Sequence, residues 1–420
     1  MRMKLNKSSQ LVLVSAASLL VATLITGCAI VRQATQSLTV DFVYVATAKA
    51  SGPNDYGEID AFEVNSESGF MRQIPASPFP SEGRDPVAEA VSPDYSALFV
   101  VNQDDNSVVE FVIGIDGKLY PYDTINTPGV FPLAIATTAK EMFVLDTYQP
   151  LPSCNVDAPC SGALSVFPLT PFSTTTAITI GQPVVNPAID TNYWPLTLSG
   201  ARASDVVVPT GVAVLNSGAD VYVTAYDSSV SPAVGYIFGY SVGQGGVLTP
   251  LPGSPYPAGS QPSAIAAAPS GNFVYATDAA DANILGYSVA PDGVLTPLSG
   301  SPYPAGNQPV SIAINPSFPY LFVANSTDAT IKEYSIASDG DLTQLGTYAT
   351  GVDPVAIGID PSTNRYLYTA NFLTNDVSGF ALNTTTGAVL NSQFSPFPSN
   401  REPTAVAAIP HNGTGAGVSK

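Results

Sequence analysis

The stretch that decides the fold is a block of about 47 residues that occurs twice in the second half of the chain. Its first copy contains Gly239-Tyr240-Ser241-Val242, Val247-Leu248-Thr249-Pro250-Leu251 and Ser254-Pro255-Tyr256-Pro257-Ala258-Gly259. These pieces return unchanged at 286–289, 294–298 and 301–306. Self-similarity at a fixed period indicates an array of one supersecondary unit, and the short strand-like segments of each unit are typical of propeller blades.

Related units extend over most of the chain, and each begins with a proline followed by small and branched residues. The seven starts are Pro86, Pro132, Pro209, Pro262, Pro309, Pro354 and Pro403. Two apolar strands follow within a unit, and several third strands end at Asp-Gly pairs such as Asp292-Gly293. Asp-Gly favours a tight hairpin because it accepts positive φ. A polar, proline-rich fourth strand is predicted to complete each unit.

The two ends of the array complement each other. The first unit, 41–80, lacks an opening strand, whereas the last one, 403–409, is an opening strand with nothing after it. We therefore predict an all-β, seven-bladed β-propeller over 40–410, whose ring closes when the C-terminal strand pairs into the N-terminal blade. Closure hides sheet edges that would otherwise invite aggregation. Residues 411–420 are expected to form a disordered tail.

The second strands also carry a family resemblance. Phe273-Val274-Tyr275-Ala276-Thr277-Asp278 and Leu321-Phe322-Val323-Ala324-Asn325 each follow a Pro-Ser turn and precede a polar loop. They resemble the YVTN-type repeats of lactonase-like seven-bladed propellers, a family that includes 6-phosphogluconolactonase and carboxymuconate cyclase. The resemblance covers most of 40–410 and implies a lactonase-like propeller. Activity depends on the residues placed on that fold.

The N-terminal segment is predicted to be an export signal. Basic residues at Arg2, Lys4 and Lys7 precede an apolar run at 11–25, which is short for a membrane span. The run ends in Ile-Thr-Gly before Cys28, which resembles a bacterial lipobox. That resemblance implies a lipoprotein signal peptide at 1–27, lipidation of Cys28 and a lipid-anchored tether at 28–39, and Ala29 implies sorting to the outer membrane. The alternative is an ordinary secretory signal that contains a cysteine.

Cysteine usage agrees with export. With Cys28 lipidated, Cys154 and Cys160 remain as a pair six positions apart, and an oxidising compartment favours a disulfide between them. Two cysteines without further ligands make a poor metal site, so we expect no metal and no cofactor.

The formal charge restricts the partners. It is −19, and about −22 once the three cations of the signal are removed. This balance disfavours nucleic acid and anionic membrane surfaces. We expect a small-molecule lactone or carbohydrate, or an envelope protein, as partner. Membrane contact is expected only through the N-terminal lipid anchor, and the chain is expected to be a monomer.

One face of the predicted ring carries nearly all the long loops. These connect strand two to strand three, or strand four to the next blade, and lie at 48–57, 149–161, 186–208 and 227–234. Long loops on a rigid scaffold commonly bind ligands. Tyr193 and the single tryptophan, Trp194, lie in one of them. They either stack on a ligand or pin the loop.

Charged residues on the same face precede the opening strands of three neighbouring blades. They are Arg84, Asp85, Asp353, Arg401 and Glu402. Carboxylates can activate water and guanidinium groups can hold an oxyanion, as ester hydrolysis requires. Glu402 is therefore a candidate base, Arg84 and Arg401 are candidate oxyanion donors, and Asp85 and Asp353 are candidate ligand-binding residues. The alternative is a set of structural ion pairs on a solvated rim.

Glu89 is the second candidate base. Its equivalents in the other units are all apolar, namely Ile135, Val212, Ile265, Ile312, Ile357 and Val406. An acid at such a position must be paired, with Arg84 or Arg401 as expected partner, or must have a raised pKa. Its role is either catalytic or structural.

Histidine usage weakens the catalytic hypothesis. The only histidine, His411, lies in the tail, which excludes a Ser-His-Asp arrangement in the body. Active lactonase-type propellers are expected to combine histidine, arginine and acids in a central cleft, and this chain departs from that pattern. The expected function is a lipid-anchored, extracytoplasmic lactonase-like propeller that hydrolyses a sugar or organic-acid lactone. The alternative is a non-catalytic binding scaffold of the cell envelope.

Overall fold

The structure, a computed structural model, describes residues 39–48, 54–65, 67–171, 177–200, 202 and 205–411. The predicted signal peptide, Cys28 with the tether up to residue 38, and the tail from 412 onward lie outside these ranges. Thr39 already belongs to the first strand. At the other end, the ring of His411 packs against Phe42, with 5.0 Å between the ring centroids.

The described residues form 33 strands, grouped in seven sheets that follow the predicted blades. Blade one contains β1 (Thr39–Thr47), β2 (Glu58–Asn65), β3 (Met71–Gln73) and β4 (Phe79–Pro80). Blade two contains β5 (Pro86–Val91), β6 (Ala97–Asn102), β7 (Ser107–Ile113) and β8 (Leu119–Asn126). Blade three contains β9 (Val130–Thr137), β10 (Glu141–Tyr148), β11 (Ala163–Thr170), β12 (Thr179–Ile180) and β13 (Trp194–Pro195).

The second half of the chain forms the other four blades. Blade four contains β14 (Val207–Val214), β15 (Asp220–Asp227), β16 (Val234–Val242), β17 (Leu248–Pro250) and β18 (Tyr256–Pro257). Blade five contains β19 (Pro262–Ala267), β20 (Phe273–Asp278), β21 (Asn283–Val289), β22 (Leu295–Pro297) and β23 (Tyr303–Pro304). Blade six contains β24 (Pro309–Ile314), β25 (Tyr320–Asn325), β26 (Thr330–Ile336) and β27 (Leu342–Ala349). Blade seven contains β28 (Pro354–Ile359), β29 (Tyr366–Asn371), β30 (Asp376–Leu382), β31 (Val389–Asn391) and β32 (Phe397–Pro398), and the chain ends in β33 (Pro403–Pro410).

Among the residues that the structure describes, one three-residue 3-10 helix, Gln244–Gly246, accompanies these strands. Within the described ranges, no helix is long and apolar enough to span a bilayer.

The ring closes as predicted. β33 pairs antiparallel with β1, so that Val45 lies opposite Val406, and it forms the innermost strand of blade one. The innermost strands of all blades then pack against one another around the axis, in the order β5, β9, β14, β19, β24, β28, β33 and back to β5. The seven-bladed architecture and its closure by the C-terminal strand are confirmed.

Neighbouring blades are joined by apolar seams, which we number by the two blades that they join. In seam 4/5, Tyr222, Leu251, Ile265 and Val274 belong to one buried cluster. A tyrosine of strand two often spans a seam, because its hydroxyl donates to a glycine carbonyl of the next blade's Asp-Gly turn. These hydrogen bonds run from Tyr44 to Gly117 (2.9 Å), from Tyr222 to Gly293 (2.8 Å) and from Tyr275 to Gly340 (2.6 Å).

The outer strand is built in two ways. In blades two and six it is continuous, and a buried glutamate, Glu110 or Glu333, lies on the adjacent strand. In the other five blades, two short pieces replace the single fourth strand that we predicted. Four of these five contain a Ser–cis-Pro pair whose serine hydroxyl accepts a hydrogen bond from strand three, for example from Gly239 N–H to Ser254 Oγ (2.9 Å).

Strand direction defines two faces. We call the face with the two-to-three and four-to-one connections the rim face, and the opposite one the turn face. β1 begins at the turn face and ends at the rim face, so the N-terminal segment enters the fold from the turn face.

Candidate functional site

The predicted site residues on the rim face share an unusual backbone. The residue directly before the opening proline has positive φ at Asp85 (52°), Phe131 (57°), Gln308 (54°), Asp353 (62°) and Glu402 (59°). Its carbonyl can accept a hydrogen bond from the residue that follows strand two, as from Gln103 N–H to Asp85 (2.9 Å) and from Phe372 N–H to Asp353 (2.9 Å). This fixed geometry positions one side chain per blade at the entrance to the ring.

A buried Asn or Asp at the end of strand two supports this entrance. The Asp278 carboxylate accepts hydrogen bonds from the backbone N–H of Ser260 (2.6 Å) and Gln261 (3.2 Å). A Cβ placed on Gly259 would lie 2.0 Å from Asp278 Oδ2, so only glycine fits there. A Cβ placed on Gly306 would likewise collide with Asn325. The backbone N–H of Gly306 donates to Asn325 Oδ1 at 2.8 Å. This element was not predicted from the sequence, although a glycine three residues before the opening proline signals it.

Two carboxyl groups interact across seam 1/2 at the rim. Asp85 is half-buried, and burial raises the pKa of its carboxyl above the ordinary value. The nearby carboxylates of Asp104 and of Glu402, the latter on blade one, raise that pKa further. Glu402 is held in place because its N–H donates to Asn375 Oδ1 (2.8 Å). Asp85 and Glu402 therefore occupy equivalent positions of neighbouring blades, and their joint role in a site stays a prediction.

Asp353 lies in the equivalent position on blade seven. Its Oδ1 accepts a hydrogen bond from Ser326 Oγ at 2.5 Å, which ties the side chain to blade six. It extends the line of acids along blades seven, one and two.

The two arginines differ in their surroundings. Arg84 is exposed and bound to Asp105 on its own blade, with Nε donating to Oδ1 (2.7 Å) and the backbone N–H donating to Oδ2 (2.7 Å). The same carboxylate raises the pKa of the guanidinium. Arg401 is also exposed and directly precedes Glu402. Arg84 thus has the structural ion pair that was our alternative, whereas Arg401 remains a candidate oxyanion donor.

Glu89 lies inside seam 1/2. It is three residues beyond Pro86 in β5, roughly 10 Å along the strand from the rim. Both carboxyl oxygens are buried and have no hydrogen bond of normal geometry among the described residues. Burial raises the pKa of this carboxyl well above its usual range, opposed only by the backbone N–H of Ala407.

The expected ion pair of Glu89 with Arg84 or Arg401 is not present. Of these arginines, Arg84 instead pairs with Asp105. Because opposite charge cannot compensate for burial, the carboxyl of Glu89 is stabilised in its protonated form. The structure therefore does not bring Glu89 together with the arginines of the rim.

The aromatic pair of the long loop is buried. Trp194 is 4% exposed, packs in the apolar cluster of seam 3/4 and donates from Nε1 to the Leu248 carbonyl (3.1 Å). Tyr193 is 8% exposed. This placement corresponds to the loop-pinning alternative, because neither ring presents a free face for stacking.

The predicted disulfide is present. Cys154 and Cys160 are bonded, with 5.4 Å between their Cα atoms, in the two-to-three connection of blade three. Within the ranges that the structure describes, no three acidic, cysteine or histidine side chains are close enough to hold a metal ion.

The closed ring of seven antiparallel sheets defines a seven-bladed β-propeller with an acidic sector on its rim. Residues 220–348 and 305–411 match the profile of the family described as "Lactonase, 7-bladed beta-propeller". Together these matches span 220–411, less than half of the chain, and over this part the chain is similar to that family. No curated protein sequence matches the chain.

Solved structures share this fold over nearly their whole length. The periplasmic gluconolactonase of Pseudomonas aeruginosa is 17% identical, with a TM-score of 0.66 over 88% of this chain and 99% of that one. Two proteins provisionally assigned as 6-phosphogluconolactonases are also similar. The one from Bacteroides uniformis has a TM-score of 0.65 at 17% identity, over 88% and 100% of the two chains. The one from Bacteroides fragilis has a TM-score of 0.63 at 19% identity, over 88% of this chain and 98% of that one. At these identities the likeness shows the fold alone.

Proposed function

We propose that the protein hydrolyses an uncharged sugar or organic-acid lactone at the acidic sector of the rim face. The observation that carries this proposal is the placement of Asp85 and Glu402 on either side of seam 1/2, each with positive φ directly before the opening proline of two adjacent inner strands. Two neighbouring carboxyl groups with different surroundings can hold one proton between them, which suits an acid and a base. The acidic sector and the overall negative charge favour a substrate without phosphate.

The proposed roles follow from the surroundings of each group. Glu402 takes a proton from a water molecule, and the oxygen of that water attacks the lactone carbonyl. Arg401 stabilises the oxyanion that forms. When the ring C–O bond breaks, Asp85 gives its proton to the leaving alkoxide. The raised pKa of Asp85 supports its role as the proton donor. The product is a hydroxy acid. Glu402 is then protonated and Asp85 is ionised, and proton exchange with water returns both groups to their starting state.

The test is a pH-stat assay of the full chain on a panel of aldonic-acid and simple organic-acid lactones. Glu402→Gln and Asp85→Asn should each reduce kcat at least tenfold, and Arg401→Ala should reduce kcat/KM. The matched control is Asp281→Asn, an acid of the rim-face connection of blade five, which should retain full activity. Wild-type activity that is indifferent to all three site substitutions, or no activity on any lactone, would overturn the proposal.

We further propose that the protein is exported and lipid-anchored through Cys28 in the outer membrane. Support comes from the Cys154–Cys160 disulfide, which persists in oxidising compartments, and from the structural likeness to a periplasmic gluconolactonase. Mass spectrometry of the protein extracted from membranes should show an acylated N-terminal Cys28. A Cys28→Ala variant should appear in the soluble fraction, and an unmodified wild-type chain would contradict the anchor.

A binding scaffold is the second candidate function. A cleft of about 640 Å³ opens on the turn face among the connections 137–141, 214–219 and 242–245 of blades three and four. The only histidine, His411, also lies at the turn face, far from the acidic sector. Binding of an envelope protein or a carbohydrate that survives Glu402→Gln, without lactone turnover, would favour this candidate.

A further inference from the structure

An exposed apolar patch lies at the outer edge of seam 7/1. Phe394 is 73% exposed, Phe70 is 37% exposed, and their rings meet edge to face with 5.7 Å between centroids. Leu390, on the outer strand of blade seven, is 71% exposed. The backbones of the two blades are joined beside these rings, since Gln393 N–H donates to the Ser68 carbonyl at 3.1 Å. We call Phe70 and Phe394 the aromatic patch.

The backbone at Phe394 is unfavourable for a phenylalanine. Its φ is 64°, in the left-handed region, where the equivalent residue of blade four is Gly253 with φ 78°. Bulky side chains are disfavoured in this region. Because the ring is also mostly exposed, neither backbone preference nor core packing accounts for a phenylalanine here. The ring contacts Phe70 within the chain, and most of its surface is left available for a contact outside the folded chain.

The N-terminal segment enters the fold beside this patch. Thr39, the first residue of β1, pairs with Asn65, and the Asn65 N–H donates to the Phe70 carbonyl (2.9 Å). Eleven residue steps separate Thr39 from Cys28, which span at most about 40 Å when fully extended. A lipid on Cys28 would therefore keep this edge of the propeller within about 40 Å of the bilayer.

We propose that the aromatic patch is a docking surface for the lipid bilayer that carries the Cys28 anchor. The inference rests on the lipid anchor of the proposed function, and it departs from the expectation that this anchor is the only membrane contact. Aromatic and aliphatic side chains partition into the headgroup region, and a second contact strengthens attachment by a single acylated residue. The acidic chain, with exposed Glu67 beside the patch, favours zwitterionic over anionic lipid. The rim face with Asp85 and Glu402 then points away from the bilayer.

The test uses the acylated full chain reconstituted in phosphatidylcholine vesicles that contain lipid brominated near the headgroup. Phe394→Trp places a reporter in the patch, and Val230→Trp, 39% exposed in a rim-face connection of blade four, is the matched control. Native Trp194 is buried in seam 3/4 and supplies a constant background. We expect brominated lipid to quench the patch reporter several-fold more than the control. Exchange of phosphatidylcholine for phosphatidylglycerol at low salt should weaken this quenching.

Three results would overturn the inference, and each has a different meaning. Equal quenching of both reporters, with Cys28 acylated, removes the docking surface but leaves the anchor. Protection of the Phe394→Trp reporter from acrylamide without vesicles shows that the tether or a second copy of the chain covers the patch. A mass spectrum without acylation at Cys28 removes the anchor of the proposed function and the docking surface with it.

Discussion

In seam 4/5, Ile265 packs among apolar side chains of two blades, whereas in seam 1/2 the equivalent position holds Glu89. The two seams share a cross-seam hydrogen bond. Tyr222 donates to Gly293 in the first seam, and Tyr44 donates to Gly117 in the second. The repeat geometry therefore specifies the seam, and one position can accept an acid if that acid stays protonated. The tyrosine–glycine hydrogen bond is thus common to both seams, whereas the residue at the Ile265 or Glu89 position differs between them.

The largest expected effect comes from an exchange of the two residues. Ile265→Glu buries an unpaired acid among apolar side chains that cannot stabilise its charge. We therefore expect the free energy of unfolding to fall by about 3 kcal/mol or more at pH 7.5. Glu89→Ile should be neutral or stabilising, because it restores the apolar contact. Urea unfolding of both variants measures the difference. Ile265→Val, expected to cost about 1 kcal/mol, is the control for packing. An Ile265→Glu loss no larger than that of the control would contradict this account.

A change of pH should have an intermediate effect on the free energy of unfolding. Since burial raises the pKa of Glu89 above the usual glutamate value of about 4.3, the folded chain binds more protons than the unfolded one above that pH. Stability should therefore fall as pH rises from about 4.3 toward the folded-state pKa. Glu89→Gln should match the wild type in free energy of unfolding at pH 4.5 and exceed it at pH 8.

Other buried acids act in the same direction. Burial raises the pKa of Asp41 to about 9, that of Glu110 to about 8 and that of Glu333 to about 7. The wild type should thus lose stability with rising pH beyond the contribution of Glu89, and the difference between wild type and Glu89→Gln isolates that residue. Glu82→Gln, at an exposed acid of the rim, should leave the pH profile of urea midpoints unchanged. Parallel profiles for Glu89→Gln and wild type would contradict the assignment.

The smallest effect should come from the outer edges of the two seams. Ala76 in blade one has φ 77°, and Gly253 in blade four has φ 78°. Gly253→Ala adds a Cβ with only ordinary contact, 3.5 Å from Tyr256 Cε1, so its cost of about 1 kcal/mol reflects the backbone alone. Ala76→Gly should gain a similar or smaller amount. Melting temperatures of the two variants should shift in opposite directions, and shifts of the same sign would show that side-chain packing dominates.

Much of the fold was predictable because the repeat constrains many residues together. Seven opening prolines recur along the chain, so their number predicted seven blades, and the incomplete first and last units predicted the closure. The split outer strands were not predicted, because two-residue strands such as Tyr256–Pro257 carry too little pattern to be distinguished from a loop.

The candidate site was only partly predictable. Adjacency of Asp85 and Glu402 followed from blade order, since equivalent positions of neighbouring blades lie side by side. The partner of Arg84 did not follow, because Asp105 lies in a connection whose path depends on tertiary contacts. The burial of Trp194 could not be predicted from the sequence either, because an aromatic residue in a long loop can face solvent or pack in the nearest seam.

The position of β1 has a mechanical consequence. β1 is hydrogen-bonded along its length to β2 on one side and to β33 on the other. A pull on the N-terminal segment would load both ladders in shear, so that many hydrogen bonds resist together instead of opening one at a time. Tension from a tether would thus be borne by the strand that is most firmly clamped in blade one, while the acids of the rim, at its far end, would remain unstrained.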